Sequence, residues 1–199
     1  MKNFKWSVES FNDFPIYIVL YVSRQKDNKD IENFVERRSS FITHDIGSEH
    51  ALQKFKEFVN RGLEGETSRM YVSVNERDGE KIYKALMHFL LDNPDFNLCS
   101  ILPKLAGLAA QKECAKTKHW MFDFDINDIK MVNEFLNDIS TIDNTIEAKA
   151  YKTPNGYAII TDRGFDCRIL MEKWGKDVTL KRDDLLCIMW EKKGEHYVK

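Results

Sequence analysis

A chain of 199 residues, 43% hydrophobic and 12% aromatic, has the length of one ordinary domain and enough apolar material to bury a full core. Its formal net charge of −2 excludes the broad basic footprint of a wholesale nucleic-acid binder, though not a local basic groove. No apolar stretch approaches membrane-spanning length, no segment reads as a signal peptide, and Cys99, Cys114, Cys167 and Cys187 show neither CxxC pairing nor zinc-site spacing, so a cytoplasmic protein with reduced thiols and no membrane partner is expected.

In chain order, Phe14 to Ser23 is β-branched and aromatic and reads as a buried strand, ending in a charged loop over residues 24–30. A weaker strand is expected around Ser40 to Thr43. Ser48 then reads as the N-cap of an amphipathic helix whose apolar face carries Leu52, Phe55, Phe58 and Val59. Arg69 to Asn75 alternates as a half-buried strand. Asp78 opens a helix with Ile82, Leu86, Phe89 and Leu90 on one stripe, and Pro94 stops it. A third helix, Leu98 to Cys114, is apolar all round and predicts deep packing.

Lys118 to Asp128 is the most informative run. An apolar strand ends in Asp123 and Asp125, which alternation puts on one face with Met121, while Phe122 and Phe124 take the other. Two carboxylates on one face of a buried strand repel each other and resist desolvation. A hard cation such as Mg²⁺ or Mn²⁺ is the usual remedy. Asp128 is assigned to capping the next helix, which runs to about Ile139.

The last third changes character. Thr145–Tyr151 and Tyr157–Thr161 alternate on either side of Lys152-Thr153-Pro154-Asn155-Gly156 and predict a hairpin, with Asn155 and Gly156 available for positive φ. A short helix over Arg168–Trp174 and a final strand over Asp184–Trp190 follow. Strands and helices alternate early and a hairpin comes late, so the expected class is α+β, a mixed and largely antiparallel sheet with flanking helices.

The DxD strand, the helix, the Thr-Pro-Asn-Gly hairpin, the short helix and the apolar strand introduced by Asp183-Asp184 resemble the catalytic core of the archaeo-eukaryotic primase superfamily. The likeness is to its small primase–polymerase-like members carried by phages and plasmids. By motif it covers about residues 118–190, and more loosely the segments 23–27 and 69–77. The resemblance implies an RRM-like primase catalytic core within a single domain over 1–199, with an α/β part over 1–115 and the DxD strand, hairpin and last strand over 116–199. It further implies a nucleotidyltransferase of DNA replication that acts on nucleic acid with nucleoside triphosphates, in the host cytoplasm if phage-encoded. Asp123, Asp125 and Asp184 (or Asp183) would be the catalytic and metal-binding carboxylates for Mg²⁺ or Mn²⁺, and Lys152, Asn155, Gly156, Ala158 and Arg163 the nucleotide-binding set. One departure stands out: the family places a phosphate-contacting histidine where this chain has Ala158, so turnover should be impaired unless Lys152, Arg163 or Arg168 substitutes.

Whether the chain is an enzyme therefore stays open. A non-catalytic phage protein binding nucleic acid or nucleotides is the second reading, favoured by Ala158. Met121 to Asp125 also resembles the haloacid-dehalogenase nucleophile loop, with Asp123 as nucleophile and Asp125 as general acid, although Asn127 stands where that family usually has Thr or Val. Among other candidates, Lys26, Arg69 and Arg77 lie at strand ends that can face the same groove, Trp120 can flank it, and His119 abuts the DxD strand. His44 and His50 fit no ligand pattern.

Overall fold

The computed structural model describes residues 15–47 and 49–194. The expected cap at Ser48, and Phe14 at the head of the first strand, lie outside the described residues. The chain forms an α+β fold with two antiparallel four-stranded sheets in place of the single mixed sheet expected.

The first sheet has the order β2-β1-β3-β8, from β1 (Tyr17–Ser23), β2 (Arg37–Thr43), β3 (Thr67–Ser73) and β8 (Leu185–Lys192). One face of β1 and β3, with Val19, Tyr21, Met70 and Val72, packs on Ala51, Phe55 and Val59 of α1 (Glu49–Asn60). Of the expected face, Phe55 and Val59 are buried and Phe58 partly so, while Ala51 takes the first inward place and Leu52 is only half-buried. On the other face Ile18 meets Ile82 of α2 (Gly79–Asp92) and Ala106 and Ala109 of α3 (Ile101–Ala109). The Asp78 carboxylate caps α2 by accepting from Lys81 N at 3.1 Å.

The third helix is shorter and shallower than expected. Single 3₁₀ turns at Leu98–Ser100 and Lys112–Cys114 flank it, and Leu98 and Leu102 are 64% and 59% exposed. Only its Ala106, Leu108 and Ala109 side is buried, because the helix lies on the sheet surface and touches it along one stripe.

The second sheet has the order β5-β6-β4-β7, from β4 (Trp120–Phe124), β5 (Ala148–Lys152), β6 (Tyr157–Thr161) and β7 (Val178–Lys181). Strand β7 was not anticipated, and it is the immediate neighbour of the DxD strand. The expected alternation holds: Phe122 and Phe124 are fully buried with Val132, Phe135 and Ile139 of α4 (Ile129–Ile142) and Leu170 and Trp174 of α5 (Arg168–Trp174). The rings of Phe124 and Phe135 meet edge-on at 4.8 Å, and Trp174 donates its indole N–H to Asp138 at 2.7 Å. Asp128 caps α4, accepting from Lys130 N at 2.8 Å.

The opposite face of this sheet looks at the first one. Met121 and Ala158 pack there against Leu186 of β8, with Val74 and Ile160 around them. The last strand, expected in one sheet with the DxD strand and the hairpin, instead crosses to pair with β3. A polar clamp fixes the crossing. Asn75 accepts from His119 N at 2.7 Å and donates to Asp183 at 3.1 Å, and Arg77 grips Asp183 with two bonds of 2.9 and 2.7 Å. Among the described residues no helix is long and apolar enough to cross a membrane, and all four cysteines are free thiols.

Candidate functional site

Between the sheets lies a groove of about 410 Å³. Its acidic side comes from the second sheet and the entry to β8. In β4, Asp123 sits opposite Ala158 of β6 and Thr179 of β7, and Met121 sits opposite Ile160 and Lys181. Lys181 is thus one diagonal step from Asp123, a separation long side chains span. Its ammonium stands 3.0 Å from Asp123 Oδ2 and 3.1 Å from Asp184 Oδ2. Burial alone would lower the Lys181 pKa, but the Asp123 and Asp184 carboxylates outweigh it and raise it. Asp125, one residue past the strand, lines the same groove without joining that pair.

Asp183 does not enter the groove, since Arg77 and Asn75 consume it in the clamp. Asp184 is therefore the carboxylate that faces Asp123. The Asp184 backbone is tied down as well, with its carbonyl accepting from Val74 N at 3.0 Å.

Asn155 and Thr153 of the hairpin loop also line the groove. Among the described residues positive φ occurs at Asn33, Gly65 and Gly194, so neither Asn155 nor Gly156 is needed for a left-handed turn as expected. Gly156 is required for proximity: a Cβ there would lie 2.0 Å from the Phe124 carbonyl oxygen and 2.9 Å from Ile126 N. The loop therefore lies directly on the backbone that carries Asp125.

The other expected nucleotide contacts separate. Ala158 lines the groove but is only 1% exposed, packed between Met121 and Leu186. Lys152 turns to Asn127 and to the Tyr157 ring. Arg163 is held by Asp162, Asp143 and Thr145, and Arg168 by Asp166, so neither reaches the groove. Trp120 stacks on Phe165 with Arg182 over its ring, and His119 Nδ1 faces the Thr161 carbonyl at 3.3 Å.

The opposite wall is basic and belongs to the first sheet. Arg38 of β2, Val22 of β1 and Arg69 of β3 form one cross-strand row; Leu20, Tyr71 and Cys187 form the next. Arg24 and Lys26, just beyond β1, complete it. Lys26 and Arg69 were anticipated here; Arg24, Arg38 and Lys181 were not, although strand alternation signals Arg38 once β2 is placed.

Among the described residues no group of three or more His, Cys, Asp or Glu is gathered closely enough to hold a metal ion. Two carboxylates do converge on one cation, the Lys181 ammonium. Hard divalent ions often take only one or two protein carboxylates and complete their shell with substrate phosphates. The donor set of Asp123 and Asp184, with Asp125 in the same groove, fits that kind of ion. No family model, curated protein or solved structure matches the chain.

Proposed function

We propose that the protein is a divalent-metal-dependent nucleotidyltransferase of the primase–polymerase type, slowed by the alanine at position 158. The observation that carries this reading is the polarity of the groove. Carboxylates converge on a cation position on one side, and guanidinium and ammonium groups face them on the other. A metal–polyphosphate is a ligand with that charge order.

Asp123 and Asp184 would hold the cation, with Asp125 beside them, and the Thr153–Gly156 loop would keep Asp125 in place. Mg²⁺ or Mn²⁺ supplies charge neutralisation for a leaving pyrophosphate and lowers the pKa of an attacking hydroxyl. Lys181 would release its two carboxylates and turn its ammonium to the phosphates. Ala158 offers no donor where an imidazole would give a charge-assisted hydrogen bond of about 1.5–3 kcal/mol, roughly ten- to hundred-fold in rate.

Extension of a primed oligonucleotide with Mn²⁺ and mixed nucleotides tests the reading. Slow incorporation is expected, and Asp123→Asn with Asp125→Asn should abolish it. The alanine at position 158 also favours a second reading, a nucleotide-binding protein without catalysis. Nucleotide binding with no incorporation at any enzyme concentration would select it, and absence of binding would remove both.

A further inference from the structure

The geometry points to a polyphosphate subsite on the basic wall, built from Arg24, Lys26, Arg38 and Arg69, that takes the phosphate tail of a nucleotide. This rests on the nucleotide-handling reading and supplies the anion contact that position 158 lacks.

Arg69 is the anchor. It lines the groove yet is only 6% exposed, and its Nε is buried without a partner among the described residues. Its Nη2 reaches Asp27 Oδ1 at 2.5 Å, while Arg24 places Nε at 2.8 Å and Nη2 at 3.2 Å on the same carboxylate. Two guanidinium groups thus share one counter-charge. Lys26 adds another cation to the lining, with no ion pair among the described residues, and Arg38 is neutralised by Glu36.

An incompletely neutralised buried charge is costly to keep. An anion arriving in the groove completes the set, and the planar guanidinium fork matches phosphate oxygens in pairs. The nearest carboxylates, Asp27 and Glu36, are each paired with arginine. Burial raises the Tyr71 hydroxyl and pushes the Cys187 thiol up to about 11, so both stay neutral. A groove of about 410 Å³ falls in the usual range for small-molecule sites. Arg69 is sunk in the wall, while Lys26 and Arg38 are exposed at its edge.

The probe is inorganic tripolyphosphate in the presence of chelator, followed by titration calorimetry. The wild-type protein should bind it, and Arg69→Lys should weaken binding about tenfold or more, since it keeps the charge and loses the fork. Arg24→Gln and Lys26→Gln, at sites less deeply buried, should each weaken it several-fold while melting like wild type. Asp123→Asn with Asp125→Asn should leave tripolyphosphate affinity unchanged or higher. No tripolyphosphate binding by wild type, or unchanged affinity in Arg24→Gln and Lys26→Gln, overturns the subsite. So does displacement of tripolyphosphate by a single-stranded oligonucleotide but not by a mononucleotide. Binding that follows the wall without any incorporation would sink the catalytic reading alone. Incorporation undiminished in Arg24→Gln and Lys26→Gln would sink the subsite alone.

Discussion

Replacing Gly156 by alanine tests whether the hairpin loop is a spacer for the DxD strand. The added carbon would fall 2.0 Å from the Phe124 carbonyl oxygen and 2.9 Å from both the nitrogen and oxygen of Ile126. Non-bonded contacts of carbon settle near 3.5 Å, so the loop must retreat by roughly 1 Å or more. All three obstructing atoms are backbone, and no side-chain rotamer can relieve them. Overpacking of this kind costs about 1–3 kcal/mol, and the rigid neighbours place Gly156→Ala at the upper end. At this chain length each kcal/mol lowers the melting temperature by about 2–4 °C, which predicts a drop of roughly 6–12 °C by calorimetry. Gly107 is the control, because a Cβ there meets nothing within 4 Å. Gly107→Ala lies inside α3 and should be neutral or stabilising by up to about 1 kcal/mol. A Gly156→Ala protein melting within ~2 °C of wild type would refute the close-approach argument and leave the glycine unexplained.

Lys181→Gln removes the ammonium that bridges Asp123 and Asp184, so Mn²⁺ affinity measured without nucleotide should rise about tenfold. Unchanged or weaker Mn²⁺ binding would show that the lysine does not occupy the cation position. Glu66 is 2% exposed; burial raises its carboxyl pKa, but hydrogen bonds from Arg37 and Leu63 N outweigh that and hold it below the usual value. Its contribution is therefore present above about pH 4.3 and is lost as pH falls through the lowered value. Glu66→Gln should cost about 1.5–3 kcal/mol at pH 7 in urea titrations, the worth of hydrogen bonds to a charged group, with the gap to wild type narrowing below pH 4; a gap that widens on acidification would contradict the sign.

Local chemistry was legible in the sequence wherever a single element decides it. Asp78 and Asp128 cap their helices, the hairpin closes over residues 153–156, and Phe122 and Phe124 point away from Asp123, since period and capping are properties of short segments. Sheet membership was not legible. Strand β7 has four residues, Val178-Thr179-Leu180-Lys181, too few for alternation to stand out from a loop. Without it Lys181 has no face and no route to Asp123. The destination of β8 was hidden for a different reason: an apolar strand fits either sheet, and the choice is made by Asn75, Arg77 and Asp183, more than a hundred residues apart. The basic wall was legible only in part: Lys26 and Arg69 were named for the groove, but Arg24 and Arg38 stay separate charges until β1, β2 and β3 align them. The reason given for Gly156 also gave way, since a clash with another strand cannot be read from a turn's own sequence.

The four residues Lys181-Arg182-Asp183-Asp184 carry the chain from one sheet to the other, and each is committed differently. Lys181 reaches back to Asp123, Arg182 covers the Trp120 ring at 5.3 Å, Asp183 takes the two bonds from Arg77, and Asp184 faces the groove. Two adjacent carboxylates thus have opposite fates, and the buried guanidinium of Arg77 decides between them: at 3% exposed it needs a full counter-charge, and Asp183 is the one it captures. That capture leaves Asp184 on the groove side with its carbonyl pinned to Val74 N. The acidic side of the site is therefore placed by an ion pair outside it. A slip of one residue in this crossing would put Asp183 where Asp184 stands, strand Arg77, and take Lys181 off its diagonal with Asp123. Local spacing in the crossing and long-range pairing at Arg77 must agree for the carboxylates to converge, so the clamp and the groove form one structural unit.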